Sequence, residues 1–215
     1  MASVRYPQLC PLARAAEVVG ERWTLLIVRE LLHGPRRFTD VRARLDGVSA
    51  SVLTQRLQGL EEAGIVARRY LEPPAASMVY ELTDTGMALE PAVFALVRWG
   101  VRFVLTSRPR ERVEGDWLRL ALRACARHGP TPARSFNLHV RQPRHDVLLR
   151  VVGGAEGTRV IEGAGPADAT ITADARTVLG LMSGALSPST AVREGRVKID
   201  GDVAGLDVFP ALFEV

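Results

Sequence analysis

Apolar residues recur at helical spacing through most of the first half of the chain. Leu12, Ala15, Ala16 and Val19 set one helix, which Gly20 stops. Trp23, Leu26, Ile27, Glu30 and Leu31 set a second, closed by His33-Gly34-Pro35. Residues 38–45 predict a short third helix, ended by Asp46-Gly47. Ser49 is placed to cap a fourth that runs to Ala63 with Leu53, Leu57 and Leu60 on its inner face. Two short β-branched or aromatic runs, 65–71 and 78–82, flank a Pro-stiffened tip and predict a hairpin. Asp84 then caps a long helix reaching about Leu105.

Helix, helix, short helix, tight turn, helix, hairpin, helix is the order of a winged helix-turn-helix. The polar, Pro-containing stretch 106–115 reads as a linker. Beyond it the period changes. A helix over 117–127 is followed by strands at 136–140, 147–152, 158–162 and 169–173, separated by Gly or Pro. Helices at 175–183 and 189–194, a strand at 196–199 and a last helix from Val203 complete the chain. The expected fold class is therefore α+β. A mostly α winged helix-turn-helix with a β-hairpin wing occupies 1–105, the linker 106–115, and a separate α+β domain 116–215.

The 215 residues include 47% hydrophobic and 24% charged positions, an ordinary globular balance that excludes general disorder. Net charge is only +4, but 27 of the 28 basic residues are Arg and Lys198 is the one Lys. Between Gly34 and Gly59 the five arginines 36, 37, 42, 44 and 56 face two acids, Asp40 and Asp46. That local excess marks a basic patch on the helical half. Cys10 and Cys125 cannot form a disulfide framework, and no leader-like or 18-residue apolar stretch is present. A cytoplasmic protein with no membrane contact is expected. Four scattered histidines and two distant cysteines show no metal-ligand spacing, and no cofactor is expected.

Several motifs carry a resemblance. CPLARAAEVVGERW from Cys10 to Trp23, GPRRF at residues 34–38, LTQRL at 53–57 and ELT at 81–83 together resemble the HxlR family of bacterial transcription regulators. The likeness runs without an obvious gap from Tyr6 to Trp99. It implies a homodimeric, winged-helix binder of double-stranded operator DNA, joined through the first and last helices of the domain, and usually a repressor. In the second half, the segment 168–202, with Asp174 opening a helix, Gly-x-Leu-Ser-Pro at 184–188 and a Gly-Arg-x-x-Ile-x-Gly-Asp step at 195–202, resembles the sterol carrier protein type 2 fold. That fold holds apolar ligands between a sheet and its helices, and the resemblance implies a small apolar effector. The sequence departs from the pattern in ending at Val215, directly after the last predicted helix, where the family has a tail that helps close its tunnel. A deep lipid site is therefore not part of the expectation.

With Leu53, Leu57 and Leu60 facing inward, Ala50, Ser51, Thr54, Gln55 and Gln58 fall on the outer face of the fourth helix behind Ser49. Gln55 suits adenine and Thr54 a base edge or thymine methyl. Arg36 and Arg37, just before the third helix, suit phosphates, as does Arg56 unless it pairs with Glu61 or Asp40. Arg68 and Arg69 alternate faces of the hairpin, so one of them can reach DNA at the wing. Residues 87–104 carry only Glu90, Arg98 and Arg102 as charges, within an arc of about 120°, so a partner must cover the wide apolar remainder. Apolar positions expected to line the effector site are Trp117, Leu118, Leu122, Phe136, Leu138, Leu149, Val151, Val178, Leu179 and Met182, each of which could equally be ordinary core.

The alternative reading is the same DNA-binding dimer with redox control through Cys10, whose thiol follows Arg5 and precedes Arg14 and a helix, and with a purely structural second domain. Cys125 reads as packing. No Ser-His-Asp or Cys-His arrangement, phosphate loop or paired carboxylates are placed together by the sequence, so an enzyme is not expected.

Overall fold

The computed structural model describes residues 5–74, 76–104, 113–142 and 146–215. They divide into two compact units, Met1–Val93 and Phe94–Val215. The linker expected over 106–115 lies mostly outside the described residues, and Gly115 already opens a helix.

The first unit is a winged helix-turn-helix. Helices α1 (Pro11–Val19), α2 (Thr24–Leu31), α3 (Phe38–Arg44) and α4 (Ala50–Glu62) precede an antiparallel hairpin of β1 (Val66–Leu71) and β2 (Ser77–Leu82). The Ser49 hydroxyl accepts the Val52 N–H, as an N-cap should. The other end of α4 closes at Gly64, whose φ of 69° suits a residue without a Cβ. The core joins Ile27 and Leu31 of α2, Val41 of α3, Leu53, Leu57 and Leu60 of α4, and Ile65 and Val66. Trp23 precedes α2 in a left-handed conformation rather than forming its first turn.

One expectation is corrected. The long helix capped by Asp84 is two helices, α5 (Asp84–Met87) and α6 (Glu90–Val104), and the cap of α5 is Thr83, whose hydroxyl accepts the Gly86 N–H. Pro91 accounts for the break. It has no N–H to offer the Met87 carbonyl and its ring would clash there, whereas the first turn of a new helix tolerates it. Gly86 is fixed by a close approach, since a Cβ there would collide with the Ile65 carbonyl oxygen.

The second unit packs helices on one face of a five-stranded sheet. Helix α7 (Gly115–Cys125) leads into β3 (Ser135–Val140), β4 (Val147–Val152), β5 (Arg159–Glu162) and β6 (Ala169–Ala173). Then come α8 (Ala175–Met182), α9 (Pro188–Arg193), β7 (Lys198–Gly201) and a terminal 3₁₀ helix, Ala204–Leu212. The strand order is β5-β4-β3-β6-β7, with β3 and β6 parallel and the other pairs antiparallel. Alternation decides which face is covered. Phe136, Leu138 and Val140 of β3 and Ala169, Ile171 and Ala173 of β6 are buried, while Asn137, His139, Thr170 and Thr172 between them are half-exposed. Leu118, Leu122 and Cys125 of α7, Val178, Leu181 and Met182 of α8, and Phe209 of the 3₁₀ helix complete that core. Among the described residues no helix is long and apolar enough to cross a membrane.

Candidate nucleic-acid interface

Ala50, Ser51, Thr54 and Gln58 are exposed along α4, and Gln55 is half-buried beside them. Beneath this polar surface Leu53, Leu57 and Leu60 are buried, so the helix is seated by one face and offers the other. The Ser51 hydroxyl shares a hydrogen bond of 3.0 Å with that of the capping Ser49, which is itself exposed. Thr54 and Gln58 lie one turn apart and carry the donors and acceptors that base edges present.

The arginines divide by what holds them. Arg37 is exposed ahead of α3, and its Nε donates to Ser77 Oγ of β2 at 3.0 Å. Arg36 differs from expectation, because its guanidinium turns inward. Its Nε donates to the Glu30 carbonyl oxygen at 2.9 Å and lies 3.8 Å from the Glu30 carboxylate. Arg56 pairs with neither Glu61 nor Asp40. It bridges Glu21 and donates to the Arg22 carbonyl at 3.2 Å, which ties α4 to the turn before α2. Arg68 and Arg69 each lie against a glutamate, Glu61 and Glu81 respectively. Those hydrogen bonds hold both guanidinium groups more firmly protonated and lower the Glu81 carboxyl below its usual range. Such exposed pairs contribute little and exchange readily, so both side chains stay accessible to an anion.

The residue that reading the sequence passed over is Glu30. It lies within the apolar stripe of α2 and is fully buried, with Arg29, Arg36 and Arg44 around its carboxylate. A charge at a position reserved for apolar residues was the available signal.

Cys10 is half-buried at the N-cap of α1, and its side chain makes no cap hydrogen bond. Arg14, counted as a neighbour able to stabilise a thiolate, pairs with Glu17 at 3.0 Å. Cys125 is fully buried, and burial pushes its thiol up to about 11.

In the second unit, eight of the positions expected around an effector (Leu118, Leu122, Phe136, Leu138, Leu149, Val151, Val178 and Met182) are buried together in the packed core. Leu179 packs against that core and Trp117 is half-buried. An open groove of about 380 Å³ lies elsewhere, lined by Pro188, Val192 and Arg193 of α9 and by Val203, Leu206 and Asp207.

Comparison with known proteins agrees with both halves. Residues 18–108 match the HxlR-like helix-turn-helix family and residues 115–214 the SCP-2 sterol transfer family. The HTH-type transcriptional regulator YvaP of Bacillus subtilis is 35% identical over 98 residues, 45% of this chain and 91% of that one. YodB of the same organism, also an HTH-type transcriptional regulator, is 32% identical over 96 residues, 44% of this chain and 86% of its own length. Among solved structures, the oxidized form of the redox regulator HypR is 31% identical, covering 42% of this chain and 94% of that one, with a TM-score of 0.40. Quinone-bound YodB is 32% identical, covering 44% and 100%, with a TM-score of 0.39. The chain belongs to the HxlR-like helix-turn-helix family and is a transcriptional regulator of the HTH type, with a domain of the SCP-2 sterol transfer kind in its second half.

Proposed function

We propose that the protein is a homodimeric repressor that reads operator DNA with α4 and answers to a small apolar effector taken up by its second half. The observation that carries the DNA reading is the stripe of Ser51, Thr54 and Gln58, exposed on a helix that buried leucines hold in place. Thr54, Gln55 and Gln58 are assigned to base edges in the major groove, Ser49, Ala50 and Ser51 to the approach of the helix end. Arg37 is assigned to phosphate, and Arg68 or Arg69 to the backbone at the wing. Arg36 and Arg56, engaged by Glu30 and by Glu21, have lesser parts. The effector reading draws support from the sterol-transfer match and from a sheet roofed on one face by helices.

Fluorescence-anisotropy titration of the protein's own upstream intergenic DNA against scrambled DNA, over a salt series, tests the proposal. Selective binding with a steep salt dependence is expected. Gln55→Ala should lower the preference for the operator. Arg37→Ala should weaken both DNAs alike and reduce the salt slope by about one. Equal, weak binding of both DNAs by the wild-type protein would count against the reading. For the effector, a sterol or long-chain fatty acid should raise the melting temperature and change operator affinity; no shift with either removes that half of the proposal.

A further inference from the structure

Glu30 has no exposed surface, yet three arginines from different places in the first unit converge on it. Arg29 Nε and Nη2 donate to Glu30 Oε1 at 3.0 and 2.7 Å. Arg36 Nε and Arg44 Nε lie 3.8 and 3.7 Å from Oε2. Arg36 is also tied through its backbone to the wing, for its N–H donates to the Tyr80 carbonyl at 3.0 Å and its carbonyl accepts the Tyr80 N–H at 2.8 Å. Arg44 stands in the last turn of α3. A single carboxylate on α2 thus holds the approach to α3, the end of α3 and, through Arg36, the hairpin.

A buried ionic cluster is a poor device for stability alone, because apolar groups of similar volume do as well or better. What it adds is direction: in a buried site the attraction of Oε2 for the guanidinium groups of Arg36 and Arg44, each within 4 Å, favours one placement of the elements that carry them. We propose that Glu30 is a positioning residue for DNA recognition. Through Arg36 and Arg44 it sets α3, the helix that leads into the recognition helix, and the wing in one register, and it withholds both guanidinium groups from indiscriminate phosphate binding. Arg36 and Arg44 are suited to the second role, with side chains 17% and 25% exposed and Arg37 and Arg42 exposed nearby in the chain. The inference rests on the assignment of α4 and the wing to DNA.

The test is Glu30→Gln, which keeps the volume and an acceptor but removes the charge. Affinity for operator and scrambled DNA is measured over a salt series, together with amide exchange at Arg36 and Tyr80. Operator preference should fall about tenfold, the discrimination of roughly one base contact. Scrambled-DNA affinity should rise with a steeper salt slope, and the Arg36 and Tyr80 amides should exchange faster while those of Leu53 and Leu57 hold. Wild-type preference and wild-type exchange in a folded variant overturn the proposal. So does a parallel loss of both affinities with faster exchange throughout, which marks a merely structural role. If Glu30→Gln does not fold, Arg44→Gln, which leaves Glu30 with Arg29 and Arg36, takes its place: operator preference should fall while scrambled-DNA affinity does not rise and the Arg36 and Tyr80 amides exchange as in the wild type, and an unchanged operator preference overturns the proposal. A wild-type protein with no DNA preference refutes the DNA assignment instead, and amide exchange alone then decides whether Glu30 positions the elements.

Discussion

At the scale of single residues, the two cysteines show how environment separates identical side chains. Cys125 is fully buried, and desolvation lifts its thiol to about 11 against a small opposing pull from Arg98. At pH 8 such a thiol is about one part in a thousand thiolate, and the thiolate is the form that reacts. Cys10 is half-buried at the start of α1. Iodoacetamide at pH 8 should therefore label one thiol per native chain, Cys10, and two per chain in denaturant, read by mass spectrometry of the peptides. Native labelling of Cys125 would contradict its placement. Labelling Cys10 with an oxidant-derived adduct that also lowers operator affinity would support redox control, which the sequence left open.

At the scale of elements, the ties between strands predict a pH dependence. Asp168, just before β6, accepts the Ser135 N–H of β3 at 2.7 Å and the Ser135 hydroxyl at 2.9 Å, and these bonds lower its carboxyl below the usual range. A carboxyl depressed in the folded state contributes stability that is present above about pH 4, the unfolded value, and is lost as pH falls toward the depressed one. Asp168→Asn should flatten the acid side of the melting-temperature profile below about pH 4 and lower the melting temperature at pH 7; an unchanged acid limb would show that the bond contributes nothing. The same scale shows what could be read from the sequence. Ser49 and Asp174 were legible as helix starts because capping depends on neighbours two or three residues away, and both accept the expected N–H. The break at Pro91 was legible in principle but overridden by the long apolar run around it. The charge of Glu30 within an apolar stripe was a legible signal, but the partners of Glu30, Arg36 and Arg56 were not, because an arginine selects its carboxylate by distance in the fold and not along the chain. Likewise, an apolar residue on an inward-facing strand looks the same whether it lines a cavity or fills a core. That is why the ten effector positions could be named but not assigned.

At the scale of the whole molecule, the unsolved surface is the outer face of α6. Leu96, Trp99 and Phe103 repeat at helical spacing with 48%, 58% and 52% of their surfaces exposed, and the Trp99 and Phe103 rings meet edge-on at 4.8 Å. Large aromatics left in water on one stripe of a helix mark an interaction surface. A second copy of the chain is the partner that the proposed operator binding needs, since two recognition helices then address half-sites roughly 34 Å apart. Trp99→Glu places a charge in the middle of that stripe and removes little from the folded core, so the secondary structure and melting temperature of each chain should change only slightly. Sedimentation equilibrium should then find the variant at the 23.4 kDa of one chain and the wild type at twice that mass. Operator affinity should drop by about 10²–10⁴, the gain that linking two sites provides, while scrambled-DNA affinity per recognition helix changes far less. A variant that stays dimeric would move the interface off this face, and a wild type monomeric at micromolar concentration would leave two-site recognition without a basis. If the variant is monomeric yet keeps full operator affinity, one recognition helix with its wing suffices, and the apolar stripe on α6 serves something other than DNA binding.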